Sequence, residues 1–142
     1  MVLHRLFIVL GIVYFRPAWI PSITSSDNKK SVASLEQIEL GNLKQYVLIR
    51  SEDINNPILL FIHGGPGMPL MYLSHTFQRP LENKFTVVQW DQRGAGKSYD
   101  PTIPVNTINV EQYLSDAIQL INTLSKRYHQ QKIFLVGHSW GT

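Results

Sequence analysis

Cysteine is absent from the 142 residues, which excludes disulfide bonds, thiolate metal sites and a cysteine nucleophile. The absence is compatible with export and with the cytosol. The five histidines show no H-E-x-x-H or comparable ligand spacing, so no metal is expected. A phosphate-binding loop is also missing. Gly96-Lys97-Ser98 suggests one, but G-x-x-x-x-G-K-[ST] requires glycine where Asp91 stands, and Asp100-Pro101 follows where a helix should open. Nor is positive charge gathered along the chain. Arg5, Arg16, Lys29 and Lys30 stand against Asp27 in residues 1–30 and account for the whole net charge of +3, while nine basic and nine acidic residues balance in the remainder. Nucleic-acid binding is therefore not expected, because such domains cluster Lys and Arg on one face. Internal repeats and low-complexity tracts are lacking. At 44% hydrophobic and 16% charged, the composition is that of one modest globular domain rather than a disordered chain.

Long hydrophobic runs are missing as well. The longest, Leu6 to Phe15, lies between Arg5 and Arg16-Pro17. As a helix it would reach about 15 Å, half of a hydrocarbon core. That length suits the apolar stretch of a signal peptide with Arg5 as its basic start. Residues 2–20 could instead form a tilted membrane anchor with its arginines near the ends, or an extra core element of the fold. Residues 1–30 are thus expected to be signal peptide or anchor plus a polar linker, and residues 31–142 the folded domain. Export or membrane anchoring is the expected localisation, with a cytoplasmic chain as the alternative.

Beyond the linker, residues 37–40 and 45–49 read as a hairpin about Gly41-Asn42, a pair that tolerates positive φ. Residues 58–62 are a continuous apolar run, expected of a strand buried on both faces, and residues 85–90 and 132–136 read as two further strands. A short helix is expected over 69–76. A longer one follows Asn109, its expected N-cap, with an apolar stripe of Val110, Tyr113, Leu114, Ala117, Ile118, Ile121, Leu124 and Tyr128. Asp116 interrupts that stripe and is expected to face solvent, without a role. The alternation of strands and helices after an antiparallel opening predicts an α/β fold with a mostly parallel sheet.

Chemistry enters at Gly137-His138-Ser139-Trp140-Gly141. A G-x-S-x-G turn between strand and helix lifts a serine out of the sheet, and its glycines answer the lack of room beside the bend. A serine so placed needs two backbone N–H groups to hold the oxyanion it generates. One comes from the residue after it, the other from a loop after an earlier strand. Trp140 and Gly65 occupy those places, the latter within His63-Gly64-Gly65-Pro66-Gly67, where Pro66 stiffens the turn. His63 is expected to brace this loop through its ring N–H groups, and His138 to be structural. Asp91 and Arg93 are expected to form a buried hydrogen-bonded brace below the second glycine-rich loop.

His63-Gly64-Gly65-Pro66-Gly67, Asp91-Gln92-Arg93-Gly94-Ala95-Gly96-Lys97-Ser98 and Gly137-His138-Ser139-Trp140-Gly141 follow one another in this order. The chain thereby resembles α/β-hydrolases of the prolyl iminopeptidase family over residues 36–142. The resemblance implies the amino-terminal half of an α/β-hydrolase fold: an opening antiparallel hairpin, then parallel strands with helices, in an incomplete sheet without a cap. It implies Ser139 as nucleophile, Gly65 and Trp140 as oxyanion donors, and no cofactor. The implied activity is release of an amino-terminal proline or other residue from peptides through an acyl-enzyme. The family order serine, aspartate, histidine places the acid and base after Thr142, so the chain alone is expected to be inactive. Another amide or ester hydrolase, or a non-catalytic membrane-tethered fragment, are the alternatives.

Overall fold

The computed structural model describes Ile23 and residues 30–142; the leader expected in residues 1–30 falls almost wholly outside them. A five-stranded sheet carries the order β1-β2-β4-β3-β5, with β1 Val32–Leu40, β2 Leu43–Ser51, β3 Ile58–Ile62, β4 Thr86–Trp90 and β5 Ile133–Gly137. β1 pairs antiparallel with β2 and β2 antiparallel with β4, whereas β4, β3 and β5 run parallel. Helix α1 (Ser74–Phe77) lies between β3 and β4, and α2 (Val110–Tyr128) between β4 and β5.

Local chemistry accounts for the elements. Gly41 and Asn42 both take positive φ, 53° and 60°, the requirement of a two-residue turn whose twist matches the flanking strands. The hairpin zips from Leu40 opposite Leu43 out to Val32 opposite Ser51, longer than the apolar runs alone suggest. The expected helix over 69–76 is a 3-10 turn, Met71–Leu73, running into α1. Asn109 caps α2, its side chain accepting from the Gln112 amide at 2.8 Å. His129 ends the helix in the left-handed region at φ 54°.

The core lies between one face of the sheet and α2. Ile38, Leu40, Val47, Ile49, Ile58, Leu60, Val88 and Trp90 meet Leu120 and Leu124 there. Each fully buried leucine contributes about 1.5–3 kcal/mol relative to exposure. The helix is rotated from the expected stripe. Leu120 and Asp116 are fully buried, while Val110, Leu114 and Ile118 are 47%, 59% and 58% exposed. On the other face Arg50 and Glu82 form a buried ion pair at 2.7 Å, and Gln78 Nε2 donates to the same carboxylate at 3.2 Å.

The crossovers place the site. From β3 the chain moves to β4 on one side, then returns through α2 to β5 on the other. In open parallel sheets, ligands bind beyond the carboxyl ends of strands at such a reversal. Here those ends deliver His63, Asp91 and His138.

Candidate active site

β5 extends its ladder by one bond, His138 N–H to the Ile62 carbonyl at 3.1 Å, and then breaks. Ser139 adopts φ 53°, a left-handed conformation that side-chain-bearing residues take only when their surroundings enforce it. A 3-10 turn over Ser139–Gly141 follows, held by Gly141 N–H to the His138 carbonyl at 3.0 Å. The two flanking glycines are steric necessities. A β-carbon at Gly137 would strike the Gly141 carbonyl, and one at Gly141 would strike the Ile62 carbonyl.

The loop after β3 rests against this bend. A β-carbon on Gly64 would lie 2.8 Å from His138 Nδ1, 2.9 Å from the His138 carbonyl oxygen and 3.2 Å from Ser139 Cβ. Gly65 (φ 136°) precedes a cis bond to Pro66, Gly67 has φ 84°, and Met68 N–H closes the loop on the Gly64 carbonyl at 3.2 Å. Among the described residues, the N–H groups of Gly65 and Trp140 donate to no protein acceptor.

His63 is buried beneath the loop, and both its nitrogens are engaged. Nε2 lies 3.1 Å from the Gln92 amide N, which donates only. Nε2 therefore accepts, and the proton sits on Nδ1, donated to the Gly64 carbonyl at 2.8 Å. One N–H donates and the other nitrogen accepts, where two donors were expected. Gln92 Nε2 completes the clasp on the His63 carbonyl at 2.9 Å. Burial holds the imidazole below its ordinary pKa, outweighing the Gly64 carbonyl and the Asp91 charge.

Asp91 and Arg93 brace the second glycine-rich loop separately, not as the joint brace expected. Asp91 Oδ2 accepts the Lys97 amide at 2.8 Å, and Gly96 leaves no room for a β-carbon against that carboxylate. Burial pushes the Asp91 carboxyl above its usual pKa, though the Lys97 amide and the His63 and Lys97 charges lower it. Ser98 Oγ donates to the Asp91 carbonyl at 2.6 Å and accepts from the Tyr46 amide at 2.7 Å, tying the loop to β2.

Arg93 turns instead to Asp116, with Nε to Oδ2 at 3.0 Å and Nη2 to Oδ1 at 3.2 Å. Asp116 is therefore not solvent-facing. Gln45 and Gln112 also donate to it, at 2.7 and 2.8 Å, and Trp90 Nε1 donates to Gln45 Oε1 at 3.0 Å. A buried carboxylate needs this many donors to offset lost hydration. Tyr113 links the network to the elbow. Its hydroxyl donates to the Arg93 carbonyl at 3.1 Å, and its ring meets Trp140 edge to face at 6.5 Å. Neither Tyr113 nor Asp116 carries a motif, although a charged residue within an apolar stripe is itself a signal.

The chain matches known proteins over most of its length. The family described as serine aminopeptidase, S33, matches residues 53–142. The chain belongs to this family. The probable aminopeptidase YbaC of Bacillus subtilis is 42% identical over 114 residues, which are 80% of this chain and 36% of that protein. A proline iminopeptidase of Lactobacillus delbrueckii subsp. lactis is 28% identical over 104 residues, 73% of this chain and 34% of its own. The proline iminopeptidase-related protein TTHA1809 from Thermus thermophilus superposes with a TM-score of 0.64 at 26% identity, covering 78% of this chain and 37% of that one. The fold is that of the α/β-hydrolases, and the chain spans about a third of the length of the curated relatives it matches.

Proposed function

We propose that Ser139 is the nucleophile of a serine aminopeptidase that releases amino-terminal residues, proline among them, from peptides. The observation that carries this reading is the left-handed φ of Ser139 beside two uncommitted amides, Gly65 and Trp140. Strain at a non-glycine residue costs about 1–3 kcal/mol and persists mainly at functional positions. Free N–H groups held in place stabilise the charge that develops on a carbonyl oxygen under attack.

Ser139 Oγ bonds to the substrate carbonyl carbon while its proton passes to a general base. Collapse of the tetrahedral adduct breaks the C–N bond, and the departing amine takes that proton. Water then releases the acyl group from the serine. A hydroxyl needs a positioned base for this, and His63, His75 and His129 are poorly placed to serve. His63 has both nitrogens engaged. His75 sits on the exposed surface of α1, and His129 lies before β5, about 16 Å of strand away from Ser139. Negligible turnover is expected from the 142 residues alone.

The test is fluorophosphonate labelling and aminoacyl-arylamide hydrolysis by the natural gene product, before and after Ser139→Ala. Loss of both signals is expected. Hydrolysis that survives Ser139→Ala would overturn the proposal.

A further inference from the structure

The peptide group between Gly64 and Gly65 belongs to two hydrogen-bonding systems at once. Its carbonyl oxygen, on Gly64, accepts from His63 Nδ1–H at 2.8 Å and from the Met68 amide at 3.2 Å. Its N–H, on Gly65, donates to no acceptor among the described residues. The Gly64–Gly65 bond is trans, so carbonyl and N–H point in opposite directions across one rigid plane. Two donors occupy both lone pairs of the oxygen. The plane cannot turn without breaking both bonds, and fixing its carbonyl end therefore fixes the direction of the N–H.

The anchoring does not stop at the ring. Gln92 grips His63 twice: its amide N–H donates to Nε2 at 3.1 Å, and its side-chain Nε2 donates to the His63 carbonyl at 2.9 Å. The first bond selects the tautomer that carries its proton on Nδ1, where the Gly64 carbonyl takes it. The second fixes the backbone from which the ring hangs. Both residues are buried, His63 at 2% and Gln92 at 3% exposure, so water does not compete for these bonds. A chain of donors thus runs from the end of β4 through the imidazole to the peptide that carries Gly65. Each bond in such a chain polarises the next, strengthening it by about 10–30%. Met68 already closes the loop on the same carbonyl; what the buried ring adds is aim and polarisation.

We propose that Gln92 and His63 are positioning residues that aim the Gly65 N–H and strengthen it as a donor to the oxyanion. This rests on the serine-hydrolase reading and adds to it the pair on which one of the two donors depends. Neither residue touches the substrate. The oxyanion forms only as Ser139 attacks, so a weakened or misdirected Gly65 N–H costs kcat and leaves KM nearly unchanged.

The experiment compares the natural gene product with its Gln92→Met, His63→Ala and His63→Gln variants. Methionine is as long as glutamine and unbranched, and lacks only its donor. Glutamine at position 63 offers one donor and one acceptor in place of the ring. Both kcat and KM are read on an aminoacyl arylamide, and acylation rates on phenyl acetate and phenyl thionoacetate, whose sulfur accepts hydrogen bonds poorly. Loss of one oxyanion donor costs about 100-fold in kcat, and His63→Ala approaches that figure at nearly constant KM. Gln92→Met loses about tenfold, the worth of one buried hydrogen bond, and His63→Gln recovers part of the His63→Ala loss. The ratio of oxygen-ester to thionoester rates falls about tenfold in His63→Ala, because the sulfur draws little on the donor. Should His63→Ala not fold, Gln92→Met carries the same test at smaller amplitude. An unchanged kcat, a loss through KM, or equal losses on the two esters overturns the positioning role and leaves the serine reading intact. Turnover that is insensitive to Ser139→Ala sinks the serine reading, and the inference with it.

Discussion

Gly64 and Ser139 lie so close that a β-carbon on the glycine would come within 3.2 Å of the serine's own. The same added atom would sit 2.8 Å from His138 Nδ1 and 2.9 Å from the His138 carbonyl oxygen. The bend that raises the serine and the loop that carries Gly65 therefore share one packing surface, and neither is free to shift without the other.

Gly64→Ala is expected to separate them. A methyl group forced into this contact moves the loop or the bend by several tenths of an ångström, and misplacement by about 1 Å costs about 100-fold in rate. Fluorophosphonate labelling of Ser139 in the natural gene product should slow at least tenfold. The thermal midpoint should move far less than for a core truncation. Labelling at the wild-type rate would contradict the shared surface.

Asp116 makes a stronger demand on stability. Removing one partner of a buried ion pair leaves the other charge uncompensated, at about 3–5 kcal/mol. Asp116→Ala should therefore cost about that much by denaturant titration, and Asp116→Asn less, since its carbonyl still accepts from Gln45 or Arg93. A surface carboxylate, as the helical pattern alone suggested, would give a change within about 0.5 kcal/mol.

The clasped His63 sets a pH dependence. Its folded pKa lies below the ordinary value of 6.5, so below that pH the unfolded chain binds a proton that the folded chain does not. Stability is full above about pH 6.5 and falls as the pH drops toward the lowered folded value. Asp91 works in the opposite sense. Its raised pKa means that its share of stability is present below the usual 3.8 and is lost as pH rises through the folded value. Unfolding midpoints between pH 7 and 5 should decline for the parent and decline less for His63→Gln, which keeps one donor and one acceptor. Parallel slopes would remove His63 as the cause.

β5 pairs with β3 on one side and has no strand on the other among the described residues. Phe134, Leu135 and Val136 are half-exposed or nearly so. An unpaired apolar edge recruits other strands. The 142-residue polypeptide is expected to self-associate, and Val136→Lys to reduce that, as read by sedimentation at matched concentration. An unaltered distribution would locate the association elsewhere.

The sequence carried much of this. α2 occupies the span its periodicity and Asn109 cap imply, the hairpin turns at Gly41-Asn42, and Gly137 and Gly141 leave room for the bend where the spacing demanded it. What the pattern could not show was which sector of α2 meets the sheet. Val110, Leu114 and Ile118 repeat as regularly as the residues that are buried, and only the docking of Leu120 and Leu124 on β-strand residues distant in the chain distinguishes them. Asp116 departs from the local pattern for a related reason. Its partners Gln45 and Arg93 lie 71 and 23 residues away, beyond any local pattern. Loop 91–98 was legible as glycine-rich, but the division of labour between Asp91 and Arg93 depends on where α2 lands.

Arg93 reaches further than its ion pair. Its Nη2 also holds the carbonyl oxygens of Leu40 and Gly41, at 3.3 and 2.9 Å, so one guanidinium fastens the hairpin tip, the segment leaving β4 and the middle of α2. Terminal hairpins in small domains commonly peel away at lower free energy than the body they flank. Here detachment of the β1–β2 tip would strip Arg93 of the Leu40 and Gly41 carbonyls and Asp116 of its Gln45 donor, leaving a buried ion pair under-bonded. The opening ribbon and the long helix are thereby coupled into a single cooperative unit.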